Sequence, residues 1–295
     1  MNQITERLAN LSIPTVLITI VVLLILRFVL LKLRTPHTKW IAELAESLAV
    51  AMFLVYLIIR PFIVQAFFIP SESMLPTLRV HDHILVNKFI YRFGEPKGGD
   101  VVVFKAPPWA DPTQPGEKDF IKRVIAVPGD IVRITPGYVM VGENQYSHND
   151  MRRQLSSLAD SGEVKVRLMN GEVFANGRRV SKEEIAAGMG YPDAKVKVVV
   201  GKVFINGKEI KEPYIAEDPN DPYPGGPRAS VKEEWLVTGK DGVKSVKIPQ
   251  GRLLMMGDNR NESNDARYWG LLDRRRVLGK AMFIFWPLTR IRWVH

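Results

Sequence analysis

Two apolar runs near the start of the chain limit what it can be. Residues 11–31 are nearly continuous hydrocarbon, interrupted by Pro14 near one end and Arg27 near the other. A helix needs about 20 such residues to cross a bilayer, and an arginine near the end of a span can snorkel to the interface. The run is long for the apolar part of a cleavable signal, and no small-x-small site follows it. It reads as a transmembrane helix. Lys32, Arg34 and Lys39 then form a basic loop in which Pro36 is expected to break any helix. A second apolar run covers 45–59, with Ser47 inside it, and Arg60-Pro61 closes it. Its core of about 15 residues spans only if flanking apolar residues at 41–44 and 62–64 contribute, and it reads as a second transmembrane helix over 44–63. Basic loops stay in the cytoplasm, which puts 32–43 there, and 1–10 and everything after Arg60 on the outer face.

Composition narrows the chemistry. A formal charge of +10 with pI near 9.7 suits anionic partners, but no aromatic-interleaved basic stripe or nucleic-acid motif accompanies it. The expected partner is the phospholipid surface, with no nucleic acid. Cysteine is absent, which excludes a thiol nucleophile, a disulfide framework and cysteine-bound zinc. The histidines are His37, His81, His83, His148 and His295. On a strand His81 and His83 share a face, yet no third ligand has a recognisable spacing, so no metal site is expected.

After residue 78 the pattern changes to short β-branched runs punctuated by Gly, Pro and Asp. Strands are predicted over 84–86, 100–104, 120–127, 131–134, 165–168, 195–200, 253–256 and 281–285, with irregular loops over 105–119 and 212–230. Gly171-Glu-Val-Phe-Ala-Asn-Gly-Arg-Arg-Val180 repeats as Gly201-Lys-Val-Phe-Ile-Asn-Gly-Lys-Glu-Ile210. Asn-Gly between apolar runs predicts two hairpins with type I′ turns. Ser181-Lys-Glu-Glu184 is a capping box, predicting a short helix to about Ala187.

Three stretches are more polar than folding requires. The first, 67–78, reads Phe-Phe-Ile-Pro-Ser-Glu-Ser-Met-Leu-Pro-Thr-Leu. Its two prolines predict an extended segment, serving either as a linker or as a holder for a hydroxyl at the water boundary. In the second, 119–130, Lys122 and Arg123 interrupt an apolar strand. Strand neighbours point to opposite faces, so one of the two is expected to face the core. A buried lysine loses pKa, and a neutral amine can activate a serine; otherwise Lys122 is an edge lysine that snorkels. The third stretch, 256–270, is dense in Asp, Asn and Arg. There Asp258, Arg260, Asp265 and Arg267 can form a rigid polar scaffold, and a neutral hydroxyl such as Ser263 can orient an amine without raising its pKa.

In this order, and behind two spans, these segments resemble bacterial type I signal peptidases, the membrane-bound leader peptidases with a Ser/Lys dyad. The blocks are Ile69-Pro-Ser-Glu-Ser-Met-Leu-Pro-Thr-Leu78, Gly99-Asp-Val-Val-Val-Phe104, 119–130 and 257–270. The resemblance implies Ser73 as nucleophile, Lys122 as general base and Ser263 as the hydroxyl orienting it. It implies an oxyanion hole from the Ser73 amide and the Ser71 side chain, and a supporting shell of Arg123, Asp258, Asp265 and Arg267. Phe67, Ile69, Leu78, Phe120 and Ile121 fall where such enzymes accept small residues at −1 and −3 of a preprotein. Glu72, Ala126, Asn261, Glu262 and Ala266 depart from the usual pattern.

The resulting expectation is a membrane-anchored, mostly β protein. Two transmembrane helices precede an antiparallel β catalytic core (64–135 and 250–295) with an inserted hairpin-rich β subdomain (136–249). It would act, as a monomer and without cofactor or metal, as a serine endopeptidase of the bacterial cytoplasmic membrane. Its multi-pass anchor would leave the catalytic domain outside, where it removes signal peptides from exported preproteins. The alternatives are a dedicated processing peptidase of conjugative-pilin type, a self-cleaving Ser/Lys regulator, a catalytically silent β adaptor, and a Ser-His-Asp hydrolase using His81 or His83.

Overall fold

The structure, a computed structural model, describes residues 11–33, 35–59, 63–111, 113, 116–157 and 164–295. The expected outer N-terminus 1–10, Arg34 of the basic loop and Arg60-Pro61-Phe62 lie outside those residues. The chain forms two compact units, one of residues up to 66 with 87–93, the other of 67–86 with 94–295.

In the first unit, α1 (Ile13–Lys32) starts behind Ser12, whose hydroxyl accepts the Thr15 N–H at 3.3 Å. Pro14 lies in the first turn, where a missing N–H costs nothing. The helix α2 (Pro36–Met52) continues into a π-helical stretch, Phe53–Ile59. Both helical runs are long and apolar enough, by length and composition, to cross a membrane. The predicted basic loop 32–43 is shorter than expected, because 36–43 are helical. Pro36 occupies the first helical position, where its fixed φ favours starting a helix, and Thr35 and Thr38 cap each other's amides. Arg27 has a closer partner than the interface: its Nε donates to Glu46 Oε2 at 2.9 Å, a carboxylate within the second apolar run that the sequence reading passed over.

The second unit is antiparallel β. In chain order come β1 (Val64–Phe68), which leads from one unit to the other, β2 (His83–Asn87), β3 (Val101–Lys105), β4 (Asp119–Ala126) and β5 (Ile131–Thr135). Next are β6 (Tyr138–Val141), β7 (Asn144–Ser147), α3 (His148–Ser157), β8 (Val166–Met169), β9 (Glu172–Ala175), β10 (Arg178–Val180) and α4 (Lys182–Gly188). Then follow β11 (Val196–Val199), β12 (Lys202–Ile205), β13 (Lys208–Glu209), β14 (Leu236–Thr238), β15 (Lys244–Lys247) and β16 (Arg252–Met256). The chain ends with α5 (Ala266–Trp269), β17 (Leu272–Asp273), β18 (Val277–Trp286) and β19 (Arg292–Trp293). The largest sheet has the order β1-β2-β18-β3-β4-β16-β17, with β19 on β18. A second sheet is β13-β12-β5-β15-β14, and β10-β9-β8 and β11-β6-β7 make two three-stranded ribbons.

All eight predicted strands are present. Both repeated Asn-Gly pairs turn with positive φ, Asn176 and Gly177 at 49° and 83°, Asn206 and Gly207 at 54° and 78°. The two copies sit in different sheets, the first pairing β9 with β10 and the second β12 with β13. A third pair, Asn170-Gly171, joins β8 to β9 in the same way. The capping box holds as read, with Ser181 and Glu184 satisfying each other's amides and α4 ending at Gly188. Sequence periodicity missed α3, because only Met151 and Leu155 supply its apolar face. Polar bonding at its start compensates: Asp150 accepts the Ser147 N–H at 2.9 Å and hydroxyl at 2.6 Å.

Only part of 67–78 is extended. β1 ends at Phe68, and 73–77 coil into a turn in which Glu72 O accepts the Leu75 N–H and Met74 O accepts the Leu78 N–H. Prolines set φ but do not forbid turns, and burying Met74 and Leu78 (both 0 % exposed) favours the coil over an extended strand. These side chains pack with Ile69, Ile84, Val86, Val101, Val103, Ala281 and Ile284 in the core of the largest sheet.

Gly201 lies where three chain segments meet. A Cβ there would stand 2.6 Å from Pro219 O and 2.7 Å from Gly137 N, both backbone atoms that cannot swing away. Gly201→Ala is therefore expected to cost about 2–3 kcal/mol, read as a melting temperature several degrees lower. Gly98→Ala, which meets nothing closer than 3.7 Å, should melt like the parent; equal melting of the two would refute the crowding.

Candidate active site

The site is assembled from a central strand, a turn and a loop. β4 lies between β3 and β16, with Val102 opposite Lys122 and both Val101 and Met256 opposite Arg123. Both sides of the strand are covered here. The expectation that one of Lys122 and Arg123 faces the core is exceeded, since Lys122 is 5 % exposed and Arg123 1 %. Two adjacent cations are thus buried on opposite faces, and each needs its own solution.

Arg123 is neutralised. Its Nε and Nη2 donate to the two oxygens of Asp258 at 2.8 and 2.6 Å, and its Nη1 donates to Gly99 O at 2.7 Å. Its plane lies 3.8 Å from the centre of the Tyr214 ring. Asp258 also accepts the Thr77 hydroxyl at 2.5 Å, which ties the turn after Ser73 to the same carboxylate. The register explains the pairing: Arg123 is opposite Met256 at the end of β16, so Asp258 follows two residues later.

Lys122 has no carboxylate in direct contact among the described residues. Its Nζ lies 2.7 Å from Ser73 Oγ and donates to Ile121 O at 3.0 Å. Burial pulls the amine down from 10.5 to about 8; Asp265 and Asp258 oppose that shift at longer range and Arg267 assists it. About one molecule in ten then carries a neutral amine at pH 7, against about three in ten thousand at the ordinary value. An amine in that condition, in contact with a hydroxyl, can take its proton.

Ser73 is itself 8 % exposed, and its amide makes no main-chain hydrogen bond among the described residues. Ser71 Oγ, on an exposed residue, is 3.4 Å from Ser73 Oγ. From behind, the Asn259 N–H donates to Ser73 O and its side-chain amide to Glu72 O, each at 3.1 Å. Sequence reasoning left Asn259 and Thr77 out, although both lie in the quoted motifs. Their contribution is to main-chain and carboxylate geometry, which composition does not reveal.

Asp265 and Arg267 form the second buried pair, with Nε and Nη2 at 2.8 and 2.9 Å from the two carboxylate oxygens and the Gly257 N–H at 3.0 Å. Burial pushes the Asp265 carboxyl up, but Arg267 and the Gly257 amide outweigh it and hold it below the ordinary value. The Ser263 hydroxyl is buried beside Asp265, whose carboxyl it helps to hold down, and makes no hydrogen bond to Lys122. It abuts Gly257, where a Cβ would stand 2.3 Å from Ser263 Oγ and 2.4 Å from Ser73 O.

Among the residues expected to line a substrate pocket, Ile69 and Leu78 are sealed in the core at 2 % and 0 % exposure. Phe67 and Ile121 pack half-buried on that core, and Phe120 lies edge-on to Phe104. The departures from the family pattern are accommodated. Glu72 points to solvent, Ala126 is buried opposite Leu254, and Ala266 starts α5. Asn261 accepts the Asn220 N–H and donates to Asp218 O, and Glu262 pairs with Lys165 at 3.6 Å. The chain does reverse sharply after Ser73, so that Ile69 bonds to His81 and Asp82. The His81 and His83 rings nevertheless pack on Phe68, and Asp82 is held by both Nε and Nη2 of Arg290.

Known proteins resemble this chain over most of its length. A family model described as "Signal peptidase, peptidase S26" matches residues 41–187 and 187–286. The signal peptidase I of Aquifex aeolicus is 32% identical over 276 residues, covering 82% of this chain and 88% of that one. The probable signal peptidase I-2 of Synechocystis is 29% identical, covering 87% and 78%, and the signal peptidase IB of Staphylococcus aureus 28%, covering 86% and 94%.

Removing one member of the Arg123–Asp258 pair would leave a buried guanidinium without its counter-charge. Asp258→Asn is expected to cost about 3–5 kcal/mol, seen as a large drop in melting temperature. A variant that melts within a degree or two of the parent would refute the pair's structural importance.

Proposed function

Since this chain belongs to the signal peptidase family, peptidase S26, we propose that Ser73 is its nucleophile and Lys122 its general base. The chain is a membrane-anchored serine endopeptidase that removes N-terminal signal peptides from exported preproteins. The single observation carrying the assignment is the buried amine, lowered to about 8, at 2.7 Å from a buried serine hydroxyl. The O–H donates to the neutral amine, Oγ attacks the scissile carbonyl, and the proton passes to the leaving amine as the peptide bond breaks. During the attack, before the bond breaks, negative charge develops on the carbonyl oxygen within reach of the Ser73 amide and the Ser71 hydroxyl, which serve as its donors. Water, deprotonated by the same amine, releases the signal peptide from the acyl-enzyme. These steps move only protons and an acyl group, so no cofactor enters them.

In this reading Ser263 orients the lysine amine. Arg123, Asp258, Asp265 and Arg267 hold the frame, and Phe67, Ile69, Leu78, Phe120 and Ile121 shape the site that accepts the small residues before the cleavage site. The two apolar helices cross the bacterial cytoplasmic membrane with 32–43 inside and the β unit outside. The basic surface lies against phospholipid headgroups, and the enzyme works as a monomer. A silent adaptor would have no use for a buried lysine that gives up its proton so easily beside a serine.

Ser73→Ala and Lys122→Met should each lower cleavage of a preprotein by at least about a thousandfold while His83→Ala leaves it intact. Full activity in either of the first two sinks the dyad. Because only the deprotonated amine accepts the proton, kcat/KM should rise tenfold per pH unit up to about 8 and then level off. A profile flat from pH 6 to 9 would contradict it. Orientation is open to direct test because the chain lacks cysteine. In intact cells a membrane-impermeant maleimide should label Lys240→Cys but not Thr35→Cys, and the reverse pattern would invert the topology.

A further inference from the structure

The loop that supports Ser73 from behind is itself held by a segment outside the four motif blocks. Between β13 and β14, Glu212 lies buried with its side chain 6 % exposed, facing Arg260 at 0 %. Its two oxygens accept from Nη1 and Nη2 of Arg260 at 2.8 and 2.5 Å, and Oε1 also accepts the Tyr214 hydroxyl at 3.1 Å. A two-pronged contact fixes the plane of the guanidinium as well as its place. The remaining nitrogen, Nε, then donates to Gly257 O at 3.1 Å, and Arg267 donates to the Arg260 carbonyl. Arg260 thereby closes the turn 257–260 on itself. Within that turn Asn259 presents the two donors that hold the carbonyls of Ser73 and Glu72. Two further contacts join the same segment to the site: the Ala216 N–H donates to Asp258 O at 3.0 Å, and the Tyr214 ring lies under Arg123.

We propose that Glu212 is a positioning residue for the peptidase reaction. Acting through Arg260, it sets the 257–260 turn and so holds the main chain of Ser73 at the distance from Lys122 that proton transfer requires. The proposal rests on the reading of Ser73 and Lys122 as the dyad. Glu212 does not itself meet substrate, and nothing in the local sequence marks it, because its partner lies 48 residues away. An error of about 1 Å in the placing of a reacting group costs about a hundredfold in rate, which is the scale expected here.

The test compares the full chain in detergent with Glu212→Gln and Glu212→Asp on a fluorogenic peptide carrying a small-x-small cleavage site. Glu212→Gln should lower kcat per folded molecule by about 10- to 100-fold, with KM within about twofold and the acid limb of the pH profile unmoved. Glu212→Asp, which keeps the charge, should recover part of the loss. A purely structural role would lower the melting temperature and the folded fraction while leaving kcat per folded molecule at the wild-type value, with no loss for Glu212→Asp to rescue. Wild-type kcat in folded Glu212→Gln, or a loss that appears in KM, overturns the proposal. If Glu212→Gln fails to fold, Glu212→Met combined with Arg260→Met carries the test, since apolar groups of similar volume often replace a buried ion pair without loss of stability. The same fall in kcat is expected there, and wild-type kcat would again overturn it. Activity in Ser73→Ala would instead refute the dyad itself, whatever the Glu212 variants do.

Discussion

The burial of two neighbouring cations on β4 is the constraint from which the rest of the site follows. Desolvating a charge is expensive, and the two faces of the strand meet that cost differently. On one face Arg123 keeps its charge by taking both oxygens of Asp258, a backbone carbonyl and an aromatic plane. On the other Lys122 has a hydroxyl and a carbonyl as partners, and its charge becomes easy to lose. The same carboxylates contribute to both results. Asp258 lies in contact with Arg123, while it and Asp265 act on Lys122 only from a distance, raising its pKa less than burial lowers it.

That division demands a stiff loop after β16. If 257–270 could shift, a carboxylate could come to rest against Lys122 and make it a permanent cation. The loop is held by the Arg267 bonds to Asp265 and Arg260, by the close packing of Gly257 against Ser263 and Ser73, and by the segment carrying Glu212, Tyr214 and Ala216. Residues 212–230, which look in sequence like a proline-rich loop, thus brace the polar cluster. Asn220 bonds to Asn261, Asp221 to Tyr268, and Ser230 to the Arg267 carbonyl. A loop rich in proline can do this because it makes its hydrogen bonds to a distant partner in place of a neighbouring strand.

The legible parts of the chain share one property, that their signal is local. The helices α1 and α2 follow from apolar length, the Asn-Gly hairpins from the φ values only a few residues tolerate, and α4 from a capping box four residues long. The misread parts depended on partners. Pro36 breaks a helix or starts one according to where the helix begins. The turn at 73–77 follows from burying Met74 and Leu78 in a core assembled from five strands, and Glu46 has meaning only beside Arg27 on the other helix.

The site divides along the same line. From sequence alone came the inventory: two apolar helices, an antiparallel β pattern, and Ser73, Lys122 and Asp258 in an order resembling one peptidase family. Residue types and their spacing carry that much because hydrophobic periodicity and turn chemistry act over a few residues. Only the tertiary structure decided that both Lys122 and Arg123 are buried, that the amine rather than the guanidinium meets Ser73, and that Glu212 holds the loop behind it. Those outcomes depend on desolvation and on polar groups brought together from positions 49, 135 and 48 residues apart, and no local pattern records which of them will meet.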